Sequence, residues 1–130
     1  KRTKHKIEIK CDNSLEIDSY PGDIWQIMTN LVMNSLLHAF PDPAKGGRIV
    51  IEAVKDGDDV VIVYSDNGVG ISEENMGKIF NPFFTTKRGK GGSGLGLNIV
   101  YNLVTQKFGG RIECSSSPGR GAVFTLRFKG

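Results

Sequence analysis

Apolar and polar residues alternate with period two over "KIEIKC" (6–11) and "LEIDS" (15–19), and the polar "DNS" between them predicts a hairpin. Pro21 then suits the first turn of a helix. From 23 to 40, "DIWQIMTNLVMNSLLHAF" places apolar residues at helical spacing until Pro41 and Pro43 stop the run. Alternation returns over "RIVIEAV" and "VVIVYSD", joined by the turn-like "DGDD". Residues 67–94 carry little periodicity and much glycine, with one short helical stretch at "SEENMGKIF". A second long helix is predicted over about 95–108, closed by Gly109 and Gly110. "RIECSSS" and "AVFTLRF" follow as strands around "PGRG". Strands and helices in mixed order predict an α+β fold: a two-layer α/β sandwich, with helices on one face of a mixed sheet and the other face more open. The 67–94 segment is too long for a simple connection, and long loops in compact domains are functional or disordered.

Composition narrows the class. The 130 residues suit one domain, and 38% hydrophobic with 24% charged residues describe an ordinary globular chain. No apolar run approaches the roughly 20 residues of a membrane span. A net charge of +3 is too small to argue for nucleic acid. The charge is uneven, however. Lys1, Arg2, Lys4, Lys6 and Lys10 crowd the start, as a solvated edge strand or entering linker would, whereas Lys87, Arg88 and Lys90 flank glycines. Cys11 and Cys114 lack metal-like spacing and read as small apolar residues of a reducing compartment; the sequence leaves a disulfide between them open.

The glycines raise the chemical question. "GKGGSGLGL" (89–97) strips side chains from a loop that feeds a helix, an arrangement whose bare amides and positive helix end favour an anion. A P-loop spacing is absent. Gly89, Gly91 and Gly94 match a dinucleotide fingerprint literally, but "FNPFFTTKR" before them is not the buried strand that fingerprint follows. In the first helix Gln26, Asn30, Asn34 and His38 recur every fourth residue on one face. Such amides suit either a satisfied polar face or a site that holds a hard cation through neutral carbonyls while phosphates supply the charge. "DNGVG" (66–70) ends a strand, and reads either as a turn or as a carboxylate beside glycines that let a ring approach.

The ordered set resembles the catalytic and ATP-binding domain of bacterial sensor histidine kinases, within the Bergerat-fold ATPase superfamily. "NLVMNS" resembles the N box, "DNGVG" the first glycine box, "FNPFFTTK" the F box, "GKGGSGLGL" the second glycine box and "PGRGAVFTL" the third. The resemblance implies a mixed sheet of about five strands on about three helices, with a long ATP lid over about 72–93. It implies that Asn34 ligates Mg2+, that Asn30 assists at metal and phosphates, and that Asp66 recognises the adenine amino group. Gly68, Gly70 and Ile71 would lie beside the base, and Gly92, Ser93, Gly94, Leu95, Gly96 and Leu97 would wrap the phosphates of ATP. His38 falls near the phosphates, Phe80 and Thr86 lie in the F box, and Lys87, Arg88 or Lys90 would reach the terminal phosphate, with Lys87 and Arg88 counted with the asparagines as catalytic. Two positions depart from the pattern: Leu37 stands where many members carry a basic residue, and Ala122 replaces the usual threonine, removing a hydroxyl.

Hydrolytic ATPase clamps of the superfamily resemble one another in a water-activating glutamate where this chain has Asn30, and an amide is no general base. The resemblance therefore implies phosphoryl transfer to a histidine on a separate dimerisation domain, with a response regulator downstream. A serine kinase of the anti-sigma type and a clamp remain the alternatives. Neither His5 nor His38 sits in an acceptor setting, which implies a catalytic fragment beginning after the acceptor domain, monomeric by itself and cytoplasmic. No nucleic acid and no direct membrane insertion are expected. Apart from a few anchoring phenylalanines the lid offers little to bury, so residues 85–93 are expected to open easily without ATP.

Overall fold

The computed structural model describes residues 6–11, 21–39, 47–82, 84 and 95–129, with the side chains of Pro21, Leu37 and His38 outside the description. Five strands form one mixed sheet in the order β1-β2-β3-β5-β4: β1 Lys6–Cys11, β2 Arg48–Asp56, β3 Asp59–Asp66, β4 Arg111–Ser116 and β5 Ala122–Lys129. β1 pairs β2 in parallel, and the other three ladders are antiparallel. The "LEIDS" arm of the expected first hairpin lies outside the described residues; the neighbour of β1 within them is β2.

Period-two patterning decides which face is buried. Along β3, Val60, Ile62, Tyr64 and Asp66 point to the helices, as do Ala122, Phe124, Leu126 and Phe128 along β5. Their partners Val61, Val63, Val123 and Thr125 form the half-buried opposite face. Against the first set pack α1 (Pro21–Asn34) and α3 (Gly96–Asn102), bringing Ile27, Leu31, Val100 and Val104 into the core. Truncating one of these, such as Leu31→Ala, costs about 2–5 kcal/mol by transfer and cavity terms. The helices run antiparallel. Asp23 in the first turn of α1 pairs with Lys107 beyond α3 at 2.6 Å, while Asn30 lies against Gly96 at the start of α3.

Both long helices depart from the expected regular α-form at their C-terminal ends. α1 continues as a π turn over Ser35–Ala39, and α3 as another over Leu103–Lys107. The short α2, Glu73–Met76, is capped by Ser72, whose hydroxyl accepts the Asn75 N–H at 3.2 Å. β1 and β4 are opposite edges of the described sheet, so Cys11 and Cys114 are separated by four strand spacings, about 19 Å. No disulfide can join them within one chain.

Candidate functional site

The last residue of β3 is a carboxylate in a core position. Asp66 is 9% exposed, and in register it lies between Ile49 of β2 and Ala122 of β5. Burial of a charge is tolerable only if its oxygens are filled. Its Oδ1 accepts the N–H of Gly68 at 3.0 Å and that of Ala122 at 3.2 Å; its Oδ2 accepts the hydroxyl of Ser35 at 2.9 Å. Ser35 Oγ also meets the Tyr64 hydroxyl at 2.6 Å, and Tyr64 reaches the Leu31 carbonyl at 3.0 Å. Burial drives the Tyr64 phenol well above its ordinary range, the Ser35 hydrogen bond opposing and the Asp66 charge adding to the rise. The phenol thus stays a neutral donor.

The "DNGVG" loop is stitched to its surroundings on three sides. Asn67 exchanges bonds with Arg48, accepting its N–H at 2.8 Å and donating its own at 3.1 Å. Val69 N–H donates to Ala39 in the first π turn at 2.9 Å, and Gly119 N–H donates to Val69 at 2.7 Å. Ile71 N–H donates to Ser116 Oγ at 2.8 Å. Gly68 admits the π turn, since a Cβ there would come within 2.4 Å of the Ala39 Cβ. Gly121 has φ +70°, and a Cβ on it would lie 2.0 Å from the Asp66 carbonyl oxygen.

The residues expected on the phosphate side sit one helical position earlier on α1. Ile27, Leu31 and Ser35 are fully buried, whereas Gln26 is exposed and Asn30 and Asn34 are half-buried. Among the described residues Asn30 Nδ2 is buried without an acceptor. Its Oδ1 lies 4.0 Å from where a Cβ on Gly96 would be, so α1 and the start of α3 converge there. Leu95 occupies the N-cap of α3, a side chain that cannot cap, and helix geometry leaves first-turn N–H groups without intrahelical partners.

Asp66 is joined to Gly68 and to Ser35, the residue after Asn34; Asn30 lies against Gly96, which follows Leu95; and Gly70 (φ +80°) closes the 66–70 loop. The structure places Leu97 in the core and Phe80 beneath the site, the Phe80 ring 5.3 Å from Tyr101 and its carbonyl accepting from Asn98 Nδ2 at 3.0 Å. Ile71 packs on the core edge. Thr86, Lys87, Arg88, Lys90, Gly92, Ser93, Gly94 and the His38 side chain lie outside the described residues, as does the opening expected of 85–93. Sequence reasoning missed Ser35, Tyr64, Ser116 and Gly121. The first had a signal: a lone hydroxyl at i+8 in the Ile27–Leu31 core stripe.

Among the described residues no group of three His, Cys, Asp or Glu could hold a metal ion. Burial, aided by the Asp66 charge, pushes the Cys114 thiol up to about 12, making it an inert core residue rather than a nucleophile. No helix among the described residues is long and apolar enough to cross a membrane.

A buried acceptor carboxylate beside close-approach glycines, facing an amide-bearing helix, defines a nucleotide-binding α/β sandwich. Residues 20–130 match the family model described as "Histidine kinase-, DNA gyrase B-, and HSP90-like ATPase", and the chain belongs to that family, as an ATP-binding domain of the sensor histidine kinase type. It is 43% identical over 103 residues to the alginate biosynthesis sensor protein KinB of Pseudomonas aeruginosa, covering 79% of this chain and 16% of that protein. It is 40% identical over 111 residues to the sensor histidine kinase ZraS of Salmonella typhi, covering 85% and 22%. The chain thus spans about a fifth of the length of the curated relatives it matches. The nucleotide-free catalytic domain of histidine kinase ThkA superposes with a TM-score of 0.80 at 31% identity, over 97% of this chain and 80% of that one. The expected two-layer fold is thereby met.

Proposed function

We propose that this domain binds Mg-ATP and transfers the γ-phosphoryl group to a histidine on a dimerisation domain, as the catalytic part of a two-component sensor kinase. The observation that carries the reading is Asp66, a buried carboxylate held as an acceptor by three donors, which would receive an exocyclic amino group on its remaining lone pair. Asn30, whose Nδ2 is buried without an acceptor among the described residues, would donate to phosphate oxygens. Asn34 would offer its carbonyl to Mg2+. The ion, when bound, offsets negative charge on the phosphates. The lid cations Lys87, Arg88 and Lys90 would do the same from the other side.

In the transfer itself, the bond between the γ-phosphorus and the β,γ-bridging oxygen breaks as an acceptor imidazole nitrogen bonds to that phosphorus. ADP leaves and the imidazole loses its proton. The amide at position 30 supports transfer over hydrolysis, since it takes no proton from water. The test mixes the chain with the acceptor domain of the same kinase and radiolabelled ATP. Acid-labile, alkali-stable label on the acceptor is the expected outcome; phosphate release without label would indicate a clamp, and acid-stable label a serine kinase.

A further inference from the structure

Resting on the adenine reading of Asp66, we propose that Ser35 is the positioning residue that sets base selectivity, by filling Asp66 until one acceptor position is left. A carboxylate has about four lone-pair sites. Among the described residues, Gly68 and Ala122 occupy Oδ1 and Ser35 occupies Oδ2. The remaining site on Oδ2 accepts only a donor, as the 6-amino group of adenine is and the 6-oxygen of guanine is not.

The direction of the Ser35 bond follows from counting hydrogens. Three oxygen–oxygen contacts link Leu31, Tyr64, Ser35 and Asp66, and the two hydroxyls carry one hydrogen each. The carboxylate is the strongest acceptor in the group and takes the Ser35 hydrogen. The Tyr64 hydrogen then has Ser35 Oγ at 2.6 Å and the Leu31 carbonyl at 3.0 Å within reach. When it points to Ser35, both hydroxyls are aligned toward the carboxylate and polarise one another. The whole relay is sealed from water, since Ser35 and Tyr64 are each 0% exposed. Ala122, the register partner of Asp66 on β5, has no hydroxyl; the one that reaches the carboxylate comes from Ser35 in the π turn that continues α1.

Calorimetric titration of the chain with ATP and with GTP, in excess Mg2+, reads the inference as the ratio of the two affinities. Ser35→Ala is expected to lower that ratio about tenfold, because the carboxylate loses the bond that holds its free acceptor position toward the base, with GTP affinity nearly unchanged. Placing the hydroxyl on the neighbouring strand, in Ser35→Ala/Ala122→Ser, is expected to restore most of the ratio. Tyr64→Phe leaves Ser35 in place and is expected to lower the ratio about twofold to threefold, giving a second reading should Ser35→Ala not fold. Parallel losses for ATP and GTP would assign Ser35 a purely structural role and overturn the inference, as would an unchanged ratio in both Ser35→Ala and Tyr64→Phe. Asp66→Asn separates the two levels. If it leaves the ratio untouched, the adenine reading of Asp66 falls as well; if it collapses the ratio while Ser35→Ala is silent, only the role of Ser35 is lost.

Discussion

The two ends of the site are built in opposite ways. At the end proposed for the base, the chain fills most of what it buries: Asp66 takes three donors and keeps one acceptor position, Tyr64 and Ser35 bond each other, and the 66–71 loop is tied to Arg48, Ala39 and Ser116. At the end proposed for the phosphates one buried group is left unfilled: Asn30 Nδ2 has no acceptor among the described residues. A finished network rigidifies and stabilises, whereas an unfinished one costs stability until a ligand completes it. On the proposed reading, the base end belongs to the fold and the phosphate end to the complex.

This contrast is testable because it predicts which variants lose stability and which lose only chemistry. The largest effect is expected of Asn34→Ala in the full kinase. Autophosphorylation should fall by about 100-fold or more, as for loss of a group stabilising transition-state charge, while the urea midpoint of the domain stays near wild type. A variant that unfolds instead would place Asn34 with the structural residues. Next comes Gly121→Ala, where the added Cβ meets the Asp66 carbonyl at positive φ. It should lower unfolding free energy by about 2–3 kcal/mol and weaken ATP along with it, measured by denaturation and calorimetry on one sample. An unaltered midpoint would break the claim that the base end is part of the fold.

Asp66→Asn keeps the shape but turns one acceptor into a donor, and should weaken ATP by about 1–3 kcal/mol. Asn30→Leu sharpens the other side of the comparison. Removing a buried donor that has no partner among the described residues should leave the nucleotide-free domain as stable as wild type, or more stable by on the order of 1 kcal/mol, while ATP binding drops. The smallest effect concerns Cys114. Its folded-state pKa of about 12 lies above the ordinary 9.0, so the folded chain holds a proton that the unfolded chain releases. Stability from this source is full below pH 9 and declines toward pH 12, because the unfolded state binds fewer protons there. Cys114→Ala should flatten the alkaline decline relative to wild type in pH-dependent urea melts.

The strands were legible because each has one buried face. "VVIVYSD" and "AVFTLRF" carry their core residues at every second position, and the structure pairs them in the register that alternation demands. Asp66, Asn30, Asn34 and the first glycine box stood out as an ordered set that resembles a family; spacing alone left the polar-face and turn readings open for each. The π turns were not legible. Widening a helix after Asn34 and again after Asn102 leaves no period of its own in so few residues. The hydroxyl relay was hidden for a different reason. It joins residues 29 and 31 positions apart in the chain, and only the packing of α1 on β3 brings them together. Ser35 looked like the neighbour of an asparagine; in the fold it is the polar member of the core stripe.

Asp66 is also the last rung of the β3 ladders to β2 and β5, hydrogen-bonded into the centre of the sheet. Any ligand that binds the carboxylate is therefore coupled to the sheet's own unfolding equilibrium. By mass action, a nucleotide at about 100 times its dissociation constant adds about 2.7 kcal/mol to unfolding. Thermal denaturation temperature should accordingly climb with the logarithm of ATP concentration. Scanning calorimetry then becomes an affinity assay that needs neither label nor acceptor protein, and nucleotide availability becomes a determinant of how long each copy of the domain escapes proteolysis.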